Sequence, residues 1–317
     1  SDVCSSDLKT DFTLLLRDRH IKVRTGFVHH LVLPYEVNSI VKGNWHVDLS
    51  LSGKKALITG SSRGIGEAIA RKLALEKAVV IVHGRDEAQA EKVANEIIAL
   101  GGCAHVVLGD LTHDDEVQQL VEAAEKLAGS IDILINNAGG SGGVKESWHD
   151  TQPASWASAY DRNVLAALRV TTRLLPKMQE AKWGRVINIS SLAATMPPPT
   201  APDYSACKAA INAMTASMAK AVAADGVTVN AISPGTIHSS TLDARFREVA
   251  DERGLCSKDA PWEEIERLVL PMFAQVPVGR VGQLDEIAAA VAFLASPIAG
   301  YITGINLRVD GGLSPVL

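Results

Sequence analysis

The sequence predicts an α/β protein built on a parallel, doubly wound sheet with helices on both faces. Three observations carry that prediction. Short apolar runs alternate with segments of helical spacing from Lys54 to Val309. The first run ends in a glycine-rich turn, Gly60-Ser61-Ser62-Arg63-Gly64-Ile65-Gly66, that leads straight into a helical pattern. A later run, Gly184–Ser191, is followed by a proline-rich loop and then by Tyr204 and Lys208, four residues apart. Strand and helix in strict alternation give parallel strands joined by crossover helices.

The elements follow in order. Lys54–Thr59 is a short apolar strand, and Glu67–Lys77 places Ile69, Ala70 and Leu73 on one side of a helix. Between them, Gly60 permits a tight turn, Gly64 lets the backbone approach a pyrophosphate, and Gly66 lets helix and strand pack closely. The helix N-terminus then offers free N–H groups to phosphate. Ala78–His83 is the second strand, Asp86–Leu100 a helix, Cys103–Leu108 the third strand and His113–Ala128 a helix. Ile131–Ile135 is the fourth strand and runs into Asn136-Asn137-Ala138-Gly139-Gly140, whose small residues leave room for a flat ring. One long helix is expected over Pro153–Glu180, with Asn163 in its middle, where an asparagine is usually solvated. Gly184–Ser191 is the fifth strand, Tyr204–Ala224 a helix and Val227–Ile232 the sixth strand. Helices near Ser240–Arg253, Trp262–Phe273 and Gln283–Ala295 precede a final strand at Gly304–Val309.

Composition narrows the function. The 317 residues are 47% hydrophobic and 21% charged, with a formal charge of −5, which argues against nucleic acid or an anionic membrane as main partner. No apolar run reaches the roughly 18 residues of a spanning helix. Four cysteines (Cys4, Cys103, Cys207, Cys256) have no metal-ligand spacing and no dense disulfide pattern, so no metal and a cytoplasmic setting are expected.

Residues 1–46 differ from the rest. They show no sustained periodicity, and the first methionine is Met178. Asp2–Leu8 back-translates into the sequence GACGTGTGCTCTTCCGATCT, which resembles the end of a sequencing adapter. This stretch is expected to be a non-native or disordered extension, with Val47 as the candidate start through a GTG codon and 47–317 as the domain.

The chemistry centres on Tyr204 and Lys208. At helical spacing of four they share one face. An ammonium beside a phenol favours the phenolate, so the tyrosine pKa is expected to fall towards the range useful for proton transfer. Ser191 could hold the same substrate oxygen. After the second strand, Gly84 and Arg85 stand where an acidic residue would take a ribose 2′-hydroxyl. Arg85 and Arg63 together suit a 2′-phosphate by charge and fork geometry, which favours NADP(H), with NAD(H) possible. The alternative leaves Arg85 as a loop cap and gives the hydroxyl to Asp86. Asp110 sits at a strand's carboxyl end, where open α/β sheets bind ligands.

At this point the residues resemble the short-chain dehydrogenase/reductase family over about Leu49–Gly312. The motif T-G-S-S-R-G-I-G (Thr59–Gly66), the N-N-A-G of Asn136–Gly139, the Ser191–Tyr204–Lys208 set and Pro234-Gly235 match that family in order. The resemblance implies a single-domain, seven-stranded Rossmann fold and a homotetramer or homodimer. It assigns Tyr204 as general acid in reduction and base in oxidation, and Lys208 to lower its pKa and hold the nicotinamide ribose. Ser191 would polarise the carbonyl, and Asn163 would maintain a water-linked relay with Lys208. Gly60, Ser62, Arg63, Ile65, Arg85, Asp110, Leu111, Asn137, Tyr204, Lys208 and Ile237 would line the cofactor. The segment 236–282 is long for the family and is expected to be a substrate lid; Phe246, Trp262, Met272 and Phe273 could line an apolar pocket there.

The expected activity is interconversion of a ketone or aldehyde and an alcohol by hydride transfer. The first alternative is 3-oxoacyl-[acyl-carrier-protein] reduction. Against it, the resemblance implies two basic docking positions for an acidic carrier, of which one is Asp225 here, while Lys182 keeps the charge at the other. The second alternative is a catalytically silent cofactor-binding protein.

Overall fold

The computed structural model describes residues 12–16, 19–23, 48–141 and 148–315. By contacts the chain divides into Ser1–Asp48 and Leu49–Leu317. In the first unit, β1 (Phe12–Leu16) and β2 (Arg19–Val23) pair antiparallel. The rest of the expected extension, and Val47 itself, lie outside the described residues.

The second unit holds seven strands. They are β3 (Lys55–Ile58), β4 (Val79–Gly84), β5 (Cys103–Leu108), β6 (Ile133–Asn136), β7 (Gly184–Ile189), β8 (Val227–Pro234) and β9 (Asn306–Val309). All pair parallel in the order β5-β4-β3-β6-β7-β8-β9. The order reverses between β3 and β6, and at such a reversal the crossovers leave in opposite directions and open a crevice at the strands' carboxyl ends. β6, β7 and β8 are buried along their whole length, and the polar residues they carry, among them Asn136, Asn188 and Asn230, are buried with them.

Helices cover both faces. On one lie α1 (Gly64–Leu75), α2 (Glu87–Ala99) and α9 (Leu284–Ala295), which close a core around Ile58, Ile69, Leu73, Val82, Ile135 and Val291. On the other lie α3 (Asp114–Ala128), α5 (Ala166–Glu180) and α6 (Pro202–Val222), over Leu57, Leu120, Leu134, Val170 and Val229. The helix expected over Pro153–Glu180 is not continuous. It divides into α4 (Pro153–Tyr160), a π-helical turn at Asp161–Leu165, and α5. α6 opens at Pro202, two residues before Tyr204, with the proline in its first turn, where a missing N–H costs nothing.

Segment 236–282 carries α7 (Ser240–Glu252) and α8 (Trp262–Phe273). They pack on each other through Phe246, Val249, Ile265, Val269 and Leu270.

Candidate active site

A cleft of about 640 Å³ opens at the carboxyl ends of β3, β6, β7 and β8. It brings together Gly60, Arg63, Ile65, Asn137, Ser191, Tyr204, Lys208 and Ile237. A slightly larger hollow of about 700 Å³ lies between α1, α2 and α9, away from all of these. It contains none of the candidate site residues named from the sequence.

The cleft floor is the glycine turn. Gly60 has φ +62°, and a Cβ there would meet Ala138 Cα at 2.9 Å, so only glycine fits. A Cβ at Gly66 would strike the Gly60 carbonyl oxygen and Asn137 Nδ2. The turn is tied to the end of β6. Asn137 Nδ2 donates to the Thr59 and Gly60 carbonyls, both at 2.9 Å, and Asn137 N and Ala138 N both donate to Thr59 Oγ1 at 3.0 Å. Arg63, the residue before α1, makes no side-chain cap, which leaves the first turn of that helix uncapped beside the cleft. A glycine-walled floor and an open helix N-terminus are what a dinucleotide diphosphate requires, so the residues present fit such a cofactor.

At the far end of the turn, Ser62 lies beside Gly84: a Cβ on Gly84 would come within 3.1 Å of Ser62 Oγ. Arg85 Nη1 reaches Asp110 Oδ2 at 3.2 Å, and the Arg85 side chain is 76% exposed, so the rest of its fork stays open to solvent. Asp110 also accepts from Thr112 N and Thr112 Oγ1 at 2.9 and 2.7 Å. These bonds, with Arg85, hold its carboxyl down at about 2. Asp86 caps α2 by accepting from Gln89 N, so its carboxylate is already engaged. The Leu111 side chain is buried in the core between sheet and helices, which leaves its main chain as the part that could face a ligand.

Tyr204 and Lys208 lie one turn apart on α6, with Lys208 Nζ 5.5 Å from the Tyr204 ring centre. The expected ordering of their titrations is not what the structure shows. Burial raises the Tyr204 phenol, and the Ser191 hydroxyl pulls it part of the way back. Lys208 does not take part in that balance. Its ammonium turns to Ile189 O at 2.8 Å, and burial brings it down to about 8. In this state burial disfavours the charged form of both groups, the phenolate of Tyr204 and the ammonium of Lys208.

Asn163 is fully buried rather than solvated. Its Oδ1 accepts from Gly140 N at 2.9 Å, and its Nδ2 donates to Gly140 O and Ala159 O at 3.0 and 2.9 Å. The side chain is spent on fixing the Gly139-Gly140 loop, so any contact with Lys208 falls to its main chain, which sits in the π turn. Ser191 Oγ accepts from Ala193 N at 3.1 Å.

The lid aromatics do not line the cleft. Phe246 is wholly buried in the α7–α8 core, where it stacks on Trp262 and Phe273; Met272 and Phe273 are about half exposed on the outside. The residues that the lid segment gives to the cleft are Ile237, Ser239, Ser240 and Thr241.

Sequence reasoning missed His83. Its Nδ1 accepts from Gly60 N at 3.0 Å, and its Nε2 meets Gly109 O at 3.1 Å. It also missed a buried chain in which Asn136 Nδ2 donates to Thr171 Oγ1 and Asn188 Oδ1, and Asn188 Nδ2 donates to Thr215 Oγ1. That chain joins α5 and α6 to the two central strands. A polar residue at the end of an apolar strand was the signal available in each case.

Comparison with known proteins agrees with this geometry. The short chain dehydrogenase family model matches residues 54–250. A 3-oxoacyl-[acyl-carrier-protein] reductase of Vibrio cholerae is 36% identical over 265 residues, which cover 84% of this chain and 99% of that protein. Nodulation protein G of a Rhizobium species is 36% identical over 267 residues, again 84% and 99%. A crystal structure of a candidate gluconate dehydrogenase from Agrobacterium tumefaciens superposes with a TM-score of 0.72 at 26% identity, covering 86% of this chain and all of that one.

Proposed function

The chain belongs to the short-chain dehydrogenase family, and from that premise we propose that it interconverts a ketone or aldehyde and an alcohol, using NADP(H) in preference to NAD(H). One observation carries the reading: Ser191, Tyr204 and Lys208 converge on the cleft into which the uncapped N-terminus of α1 opens. When bound, the nicotinamide supplies or accepts the hydride.

The chain's own residues do the rest. The glycine turn and the first N–H groups of α1 hold the diphosphate. Arg63 and the open part of the Arg85 fork read a 2′-phosphate. Ser191 orients the substrate oxygen, and Tyr204 donates its proton to that oxygen in reduction and recovers it in oxidation. Lys208 is one turn behind; released from Ile189 O, it would stabilise the phenolate left after transfer. The loop held by Asn163 sets the wall of the cleft. Substrate selection falls to the hydroxyl-bearing edge at Ser239, Ser240 and Thr241.

A panel of ketones, aldehydes and ketoesters offered with NADPH or NADH tests this. Consumption of reduced cofactor is expected with NADPH favoured. Tyr204→Phe should lower kcat by about 10²–10⁴-fold while cofactor binding persists. Retained turnover in that variant would sink the mechanism, and binding without any turnover in the wild type would favour the silent alternative.

Carrier-protein reduction is favoured by the curated relatives. The surface speaks against it, because Lys182 Nζ is bound to Asp225 Oδ1 at 2.6 Å and Gln179 occupies the other oxygen. The one basic group kept for an acidic carrier is thereby neutralised. Faster turnover of an acyl-carrier thioester than of any free ketone would reverse this order. The proposal includes self-association into a dimer or tetramer and a cytoplasmic setting.

A further inference from the structure

His83 is the penultimate residue of β4 and is buried to 3% exposure beneath the glycine turn. Its main chain is fully engaged: its N–H donates to Ser61 Oγ at 2.9 Å, and its carbonyl accepts from Ser61 N at 2.8 Å. Its ring spans two strand ends. The Gly60 N–H points at Nδ1 from the end of β3, and the Gly109 carbonyl faces Nε2 from the end of β5.

Those two partners choose the protonation state. An amide N–H can only donate, so Nδ1 must be an unprotonated acceptor; a carbonyl can only accept, so Nε2 must carry the hydrogen. The neutral Nε2–H tautomer satisfies both. The other tautomer sets donor against donor and acceptor against acceptor. The imidazolium sets its Nδ1–H against the Gly60 N–H.

We propose that His83 is a positioning residue for the dinucleotide: as the neutral imidazole it pins the Gly60 turn, and its protonation releases that turn and weakens cofactor binding. This rests on the reading of the cleft as a dinucleotide site. Gly60 is the floor of that site, its carbonyl is held by Asn137, and it lies so close to Ala138 that a Cβ on it would meet Ala138 Cα at 2.9 Å. A repulsive contact under its N–H therefore moves the floor and the start of α1 with it.

The charged groups around the ring are Asp110 at the end of β5, Arg85 after β4, and Glu116 of α3, which accepts from Asp110 N. Asp110 favours the imidazolium and Arg85 opposes it, and the two are paired with each other. Burial acts in the same direction as Arg85 and pushes the ring below its ordinary 6.5. The effect therefore belongs to the acid side of that value.

The test is the NADPH dissociation constant, followed by fluorescence across that range, for the wild type, His83→Asn and His83→Gln. Asparagine can place an acceptor where Nδ1 stands. Glutamine can place a donor where Nε2 stands, and leaves the Gly60 N–H without a partner. At mildly alkaline pH, His83→Gln should bind roughly tenfold more weakly than the wild type, and His83→Asn more tightly than His83→Gln. The wild type should lose affinity as pH falls below 6.5, by more than His83→Asn does. Protonation of the ligand's own 2′-phosphate is common to all three proteins and cancels in the comparison.

A pH profile shared by the wild type and His83→Asn would overturn the proposal and leave the dinucleotide reading standing. A wild type that binds neither NADPH nor NADH would overturn both. Should neither variant fold, nitrogen NMR of the wild-type ring decides: a neutral Nε2–H ring in the NADPH complex is expected, and an Nδ1–H or cationic ring would overturn the role.

Discussion

Lys208 is buried to 4% exposure with Ile189 O as the hydrogen-bond partner of its ammonium. Desolvation takes its pKa from 10.5 to about 8. A lysine depressed in this way burdens the fold below its folded pKa, where the native state must hold a charge that the unfolded chain carries in water. Between about 8 and 10.5 the unfolded chain binds the proton and the folded one does not, so stability rises with pH through that window. The full difference is roughly 3 kcal/mol. Lys208→Met should therefore be more stable than the wild type near neutral pH, by up to that amount, with the gap closing towards pH 10.5. Urea titrations at several pH values would show it. The same variant should lose turnover, because only the Ser191 hydroxyl would then be left, among the described residues, to steady a Tyr204 phenolate. A variant that is destabilised at neutral pH would mean that the Ile189 bond outweighs the buried charge. Tyr204 and Lys208 were legible in the sequence once the glycine turn and Ser191 stood beside their spacing, which alone would mark any solvated helix face. Their electrostatic relation was not, because spacing fixes distance but not solvent. With both groups buried, desolvation is the largest influence on each.

At the scale of elements, the π turn at Asp161–Leu165 is the feature that periodicity could not supply. Apolar spacing continues across it, so Pro153–Glu180 reads as one helix, and one extra residue in a turn leaves no compositional mark. Its consequence is that Asn163 faces Gly140 instead of solvent. Asn163→Ala removes three hydrogen bonds and leaves Gly140 N, Gly140 O and Ala159 O without that partner. A loss of about 3 kcal/mol in urea unfolding is expected, together with a fall in kcat as the Gly139-Gly140 wall loosens. Unchanged stability would show that water replaces the amide. The lid aromatics were open to two readings by residue type, a pocket lining or helix core. Two helices that pack on each other need an apolar seam of their own, and Phe246 and Trp262 fill it. The glycine turn, by contrast, was legible to single residues, because φ +62° at Gly60 and the missing Cβ at Gly66 are demands that only glycine meets.

For the whole molecule, the parallel, doubly wound sheet followed from alternation, whereas the strand order and the reversal beside the cleft are seen only in the structure. What surrounds the sheet was less legible, because exposure is set by partners as well as by pattern. Phe293, Ile298, Tyr301 and Ile305, from the end of α9 to the start of β9, remain 39%, 53%, 103% and 38% exposed. β9 is an edge strand of the sheet, so its unpaired side and these apolar groups lie towards the same end of the chain. Exposed apolar residues gathered beside an open edge mark a surface that association would cover. Tyr301→Asp combined with Ile298→Glu should therefore shift the protein from a dimer or tetramer to a smaller species in light scattering. Each isolated apolar side chain at stake contributes about 1.5–3 kcal/mol on full burial, so the pair suffices to move the equilibrium by orders of magnitude. Raising the salt concentration should not weaken the wild-type assembly, since apolar burial is not screened. If the wild type and the double variant both run as monomers, these residues are merely solvated. If both run as the same oligomer, the assembly uses another face.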